Sequence, residues 1–446
     1  MTKRILVLVV AVGFGLNLIS CGGTSSGTRS GLTSRVLASQ GVSTLTASPG
    51  LDYINGLNDT LARVAPLGAG SSPGLMVLSP SRNIVAAFDS GTNTVYAEDT
   101  VREGTIGSVR IPGPTTSIAV PTAQPTVYAA VPTATVNGYT FQGAVESMNF
   151  SAGSLLTIAV PNAQTVISNS TGTQLLVLSA DSDVVTVLSP ASASPPVDTS
   201  CLPSSPNPTV CTIVTDSRFS RPVFAIENGT TAYILNCGFQ CGGTVNGQPA
   251  PASVAVFDLG SLTITQTIPV DAATMAFLNG STLYVAGTPV NPATPTSNNL
   301  CPASQGTAAT NCGILDVVDL GSMQKTSSAF ITDGFHDRMD MTSNGQLFIG
   351  SKNCTNIGNV NNPNGEVRGC LSIYHTADGS VIIPPDNGDV TGLQGFTTRY
   401  VEYVAEDGQL RVYDTTKDIL LINDFLPTGT IEFVGYIGDV KAIDFF

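Results

Sequence analysis

The chain has 446 residues, of which only 11% are charged, and carries a formal net charge of −14. So acidic a surface repels a phosphate backbone, which excludes nucleic acid as a partner. Gly, Pro, Ser and Thr are abundant, Trp is absent and Lys/Glu/Ala-rich stretches are lacking, a composition that points to an all-β protein.

Lys3 and Arg4 precede an apolar run, Ile5 to Leu18, too short to span a bilayer comfortably; it reads as a signal segment, residues 1–20. The run ends in Leu18-Ile19-Ser20-Cys21, which resembles the lipobox of bacterial lipoproteins. That resemblance implies cleavage before Cys21, a lipid on its sulfur and attachment to the cell envelope. With Gly22 rather than Asp next, it implies the outer membrane if the host has two. The Gly/Ser/Thr-rich stretch over 21–50 shows little periodic hydrophobicity and is expected to be a flexible tether, with the folded domain over 51–446.

Beyond the tether one strand recurs as IVAAFD, VYAAVP, LLVLSA, AYILNC, LYVAGT, LFIGSK and EYVAED. Its second residues are Val85, Tyr128, Leu176, Tyr233, Tyr284, Phe348 and Tyr403, spaced from about 43 to about 64 residues apart. A following strand recurs too, and Asp258-Leu259-Gly260-Ser261 returns as Asp319-Leu320-Gly321-Ser322. Four short strands per unit at this period indicate a β-propeller of four-stranded blades. The rhythm resembles the YVTN-type propeller repeats of bacterial surface and periplasmic proteins, a likeness that bears on fold and little on activity. Seven units are complete. Residues 51–55 and 60–64 read as third and fourth strands of an eighth blade, to which 431–446 would add two, so eight blades, one shared by both chain ends, are favoured over seven.

With Cys21 set aside as lipid carrier, eight cysteines remain, an even number that suits an oxidising compartment. They fall into the local couples Cys201/Cys211, Cys237/Cys241, Cys301/Cys312 and Cys354/Cys370, each in an insertion between repeat strands, and neighbour pairing is the scheme that closes each insertion on itself. A zinc site on Cys237 and Cys241 lacks a second close pair and histidines to complete it.

The residues that open the innermost strands face the channel mouth of a propeller. They lie near Ser72, Thr115, Asn162, Arg221, Asp271, His336 with Asp337, and Asp389. Only Gly334-Phe335-His336-Asp337-Arg338 is dense in ionisable groups, and an imidazole beside a carboxylate can act as a general base. His336, Asp337, Arg338, Arg221, Asp271 and Asp389 are thus the candidate ligand site, with solvated strand-opening charges as the plainer reading. His375 falls in a third strand, away from the channel. Asp181-Ser182-Asp183 lacks the Gly and Glu of a calcium loop and reads as a turn. No metal or cofactor is implied, and the absence of Trp separates the chain from quinoprotein propellers, whose repeats carry it. A non-catalytic binding or scaffolding module for a protein or envelope component is preferred; a channel-mouth hydrolase or lactonase acting on a small sugar-derived substrate is the alternative.

Overall fold

The structure, a computed structural model, describes residues 30–41, 49–122, 126–204, 206–290, 312–354, 357–358, 367–384, 388–396 and 398–444. Cys21 and Cys301 lie outside them.

Blades 1 to 7 follow one another along the chain. Their innermost strands are Pro73–Leu78, Ser117–Ala119, Thr165–Ser168, Pro222–Asn228, Met275–Asn279, Phe335–Met341 and Val390–Gly395. From each, the chain steps outward through antiparallel second, third and outer strands. Blade 8 takes its innermost strand, Tyr436–Ala442, from one chain end and its second, third and outer strands, Arg35–Gly41, Gly50–Asn55 and Thr60–Leu61, from the other. The ring therefore has eight blades, one shared, as the repeat count favours.

Two boundaries need correction. Arg35–Gly41, assigned to the tether, is a strand whose Val36 to Gln40 are buried. Its polar Ser39 is satisfied there, donating a 2.7 Å hydrogen bond to the carbonyl of Gly74 in blade 1. The segment 431–446 supplies one strand to blade 8 rather than two, because Thr430–Ile431 pairs with the third strand of blade 7 instead.

The second strand of each blade is covered on both sides by neighbouring blades, which is why its repeat reads as a continuous apolar run rather than an alternation. Ala86 and Phe88 of blade 1 pack with Val127, Ala129 and Met148 of blade 2. Comparable clusters fill every interface round to Tyr403, Val412, Val36 and Val440 between blades 7 and 8, and Leu37, Tyr53, Met76 and Val85 between blades 8 and 1. Burial of such surface is the main stabilising term.

Antiparallel succession gives the ring two faces. The innermost strands start on one, here the mouth face, which also carries the connections from second to third strands; the rear face carries the turns from third to outer strands. The repeated Asp-Leu-Gly-Ser is one of these rear turns. Asp258 Oδ1 accepts from the amides of Gly260 and Ser261, and Asp319 from those of Gly321 and Ser322, so the carboxylate takes the place of a backbone turn acceptor. The first described residue, Ser30, also sits on the rear face, its Oγ donating to Glu103 Oε1 at 2.8 Å.

Candidate functional site

Three insertions leave from the mouth face in consecutive blades. In blade 4 Cys237 and Cys241 are bridged, and in blade 6 Cys354 and Cys370 are bridged, with Cα separations of 5.7 and 5.5 Å. The blade 5 insertion departs after the second strand Thr282–Gly287 and returns at Cys312, which is disulfide-bonded and buried. The fourth couple, Cys201–Cys211, is bridged as expected but belongs to the connection from third to outer strand of blade 3, on the rear face.

On the mouth face the channel opens into a cavity of about 400 Å³. The innermost strands of blades 1 to 6 line it with Leu75, Val77, Val166, Phe224, Met275 and Phe335 among others, interspersed with Ser117 and Thr165. Among the described residues lining it, Asp337 is the one ionisable side chain. Sequence reading missed the apolar part of this wall, although alternate residues of the innermost strands, such as Leu75 and Val77, carry its signal.

The candidate ligand residues do not converge on that cavity. His336 points away from it into the blade and is fully buried. A side chain at Gly313 would run into its ring, with an added Cβ only 2.8 Å from His336 Cε1. Its Nε2 lies 2.9 Å from the carbonyl of Thr332, and burial pushes its pKa down to about 4. It is a neutral packing residue, not a general base at the mouth. A bulge explains the separation from Asp337: His336 pairs with Ser351 and Arg338 with Gly350, leaving Asp337 unopposed and turned to the channel. There Asp337 is held by Lys352 Nζ at 2.6 Å and flanked by Arg338 at 3.5 Å. The Arg338 guanidinium donates to the carbonyl of Thr391, tying blade 6 to blade 7.

The other candidates are also latches between or within blades. The amide of Arg221 donates to Asp183 Oδ1 at 2.9 Å. The amide of Asp271 donates to Asp316 Oδ2 at 2.6 Å, while its carboxylate meets Lys325 at 2.8 Å. Asp389 Oδ1 accepts from the amide of Asn353 at 2.7 Å. Asp183, part of the weighed calcium motif, is thus spent on Arg221. His375 lies where expected, its Nε2 2.8 Å from Asp418 Oδ2 of the next blade. Among the described residues no group of three or more His, Cys, Asp or Glu is placed to hold a metal.

Several acids lie inside the blades, where burial favours their protonated forms. Glu98, Glu146 and Glu406 are each pushed up to about 8, and Thr157 Oγ1 donates to Glu146 at 2.7 Å.

The fold defines an eight-bladed β-propeller, and solved propellers resemble it. Dihydro-heme d1 dehydrogenase NirN, solved in complex with DHE, aligns over 92% of this chain and 75% of its own, with a TM-score of 0.58 and 12% identity. The Dos1 propeller aligns over 83% and 87%, with a TM-score of 0.53 and 9% identity. At such identities the likeness speaks to fold alone. No family model matches the chain, and no curated protein does.

Proposed function

We propose that this protein is a lipid-anchored component of the cell envelope whose mouth face binds a protein or other envelope partner without catalysing a reaction. The observation that supports this reading most is the grouping of the insertions of blades 4, 5 and 6 on the face opposite Ser30, the end from which a lipid on Cys21 would tether the ring. A bridged loop loses little conformational freedom on binding, so the free energy of contact is not spent on ordering it. The groups that could have served a hydrolase are engaged elsewhere: His336 in packing, Arg338 on Thr391 and Asp271 on Lys325.

Site-specific photo-crosslinking in cells tests the proposal. A crosslinker at Gln240 or Thr288, on the mouth face, is expected to trap a discrete partner, and one at Ala377 on the rear face is not. Crosslinks from the rear position only would overturn the reading. Hydrolysis of sugar lactones by the purified protein, lost in Asp337→Asn, would establish the hydrolase instead.

A further inference from the structure

The turn from third to outer strand recurs on the rear face, and its middle residue is small or polar in most blades: Ser151, Gly260, Gly321, Ala377 and Thr416. Two blades depart from this. Blade 8 places Leu57 at that tip, 63% exposed, and blade 1 places Val101, 58% exposed. Both turns share the construction of those at Gly260, Gly321 and Thr416, Asn55 Oδ1 accepting from the amide of Leu57 and Asp99 Oδ1 from that of Val101, so geometry does not demand an apolar tip.

These two tips straddle the point where the chain comes in. Ser34 accepts from the amide of Gly56 at 2.9 Å on one side, and Arg35 Nη1 donates to the carbonyl of Thr100 at 2.7 Å on the other. Tyr400, 58% exposed, extends the patch into blade 7, where its neighbour Arg399 clasps Asp59 of the blade 8 turn. Only eight residues separate Cys21 from Ser30, which is fixed to Glu103. Fully extended they reach roughly 30 Å, so a lipid on Cys21 keeps this face close to the bilayer surface.

We infer that Leu57, Val101 and Tyr400 form a membrane-contact face, entering the interfacial region of the lipid bilayer beside the anchor and fixing the ring with its mouth toward the aqueous side. The inference rests on the proposed acylation of Cys21. A lipid surface suits these groups because it accepts isolated apolar tips without a shaped pocket, and an aromatic ring with a hydroxyl is at home at the headgroup level. A lipid on a flexible tether fixes distance but not orientation, and a few inserted side chains supply the second contact that holds the ring one way up.

The absence of Trp makes the test direct. Full-length protein carrying Leu57→Trp, Val101→Trp or, as a mouth-face control, Tyr139→Trp is purified and placed in phosphatidylethanolamine/phosphatidylglycerol vesicles with bromine-labelled acyl chains. Emission from Trp at 57 and 101 is expected to shift to the blue and be quenched, while that from 139 is unchanged. Flotation and the mass of the N-terminal peptide report acylation separately. Acylated, floating protein with no quenching at 57 and 101, or quenching at 139, overturns the membrane-contact face while leaving the anchor intact. Protein that neither carries a lipid nor floats overturns the anchor, and the contact face with it.

Discussion

Arg35 and Asp444, 409 residues apart, are joined by three hydrogen bonds: the Arg35 amide and Nε to Oδ2 at 2.8 and 2.7 Å, and Nη2 to Oδ1 at 2.8 Å. The same guanidinium holds Glu103 at 2.7 Å, so one side chain links the two chain ends in blade 8 to blade 1. Both pairs are largely buried, and Arg35→Ala strands two carboxylates without a cation. The expected cost is about 3 kcal/mol, read as a lower urea midpoint at unchanged slope. A loss below about 0.5 kcal/mol would show that strand packing alone closes the ring.

His336→Ala is expected to lower stability by about 2 to 4 kcal/mol, because it empties a filled space beside Gly313 and removes the partner of the Thr332 carbonyl. Partner capture by protein that remains folded should be unchanged. A substitution that leaves the unfolding curve in place but abolishes binding would return His336 to the channel mouth.

The sequence made the second strands plain because both their faces are buried, so Leu283-Tyr284-Val285-Ala286 can only be apolar throughout. Arg35–Gly41 was hidden because Ser39 and Gln40 are polar yet buried, and the Gly74 carbonyl that takes the Ser39 hydroxyl is contributed by the neighbouring blade. His336 and Asp337 were visible as an unusual pair, but which of them faces the channel depends on a bulge, and register of that kind is written in the pairing with Ser351 and Gly350 rather than in the two residues themselves.

Stability should decline as pH rises from about 6.5 to about 8. Glu98, Glu146 and Glu406 have folded pKa values near 8 against an ordinary 4.5, so the folded state holds more protons across that interval and loses stability as they leave. His336 acts in the opposite sense, its folded value of about 4 lying below the ordinary 6.5, but that contribution is complete by pH 6.5. Glu146→Gln, which keeps an acceptor for Thr157, is expected to flatten the slope by up to about 1.4 kcal/mol per pH unit. Denaturant titrations at several pH values read it, and an unchanged slope means that Glu146 is ionised in the folded protein.

The bridges should differ in what they hold. Cys201 and Cys211 are buried in the cluster between blades 2 and 3, with Val166, Leu175 and Leu188, and Cys211 opens the outer strand opposite Leu188. Replacing both with Ser frees a loop of separation 10 and puts two hydroxyls among apolar groups, with an expected loss of about 3 kcal/mol. The Cys237–Cys241 turn spans a separation of only 4 and is also closed by backbone bonds from Gly243 to Gly238 and from Phe239 to Ala250. A short closed loop restricts the unfolded chain little, so the matching double substitution there should cost about 1 kcal/mol or less. Thermal unfolding of the two double variants distinguishes them: a clear fall in midpoint for the first and a small one for the second. Equal falls would mean that the mouth-face bridge supports the blades themselves, and that the insertion of blade 4 is part of the core rather than a loop mounted on it.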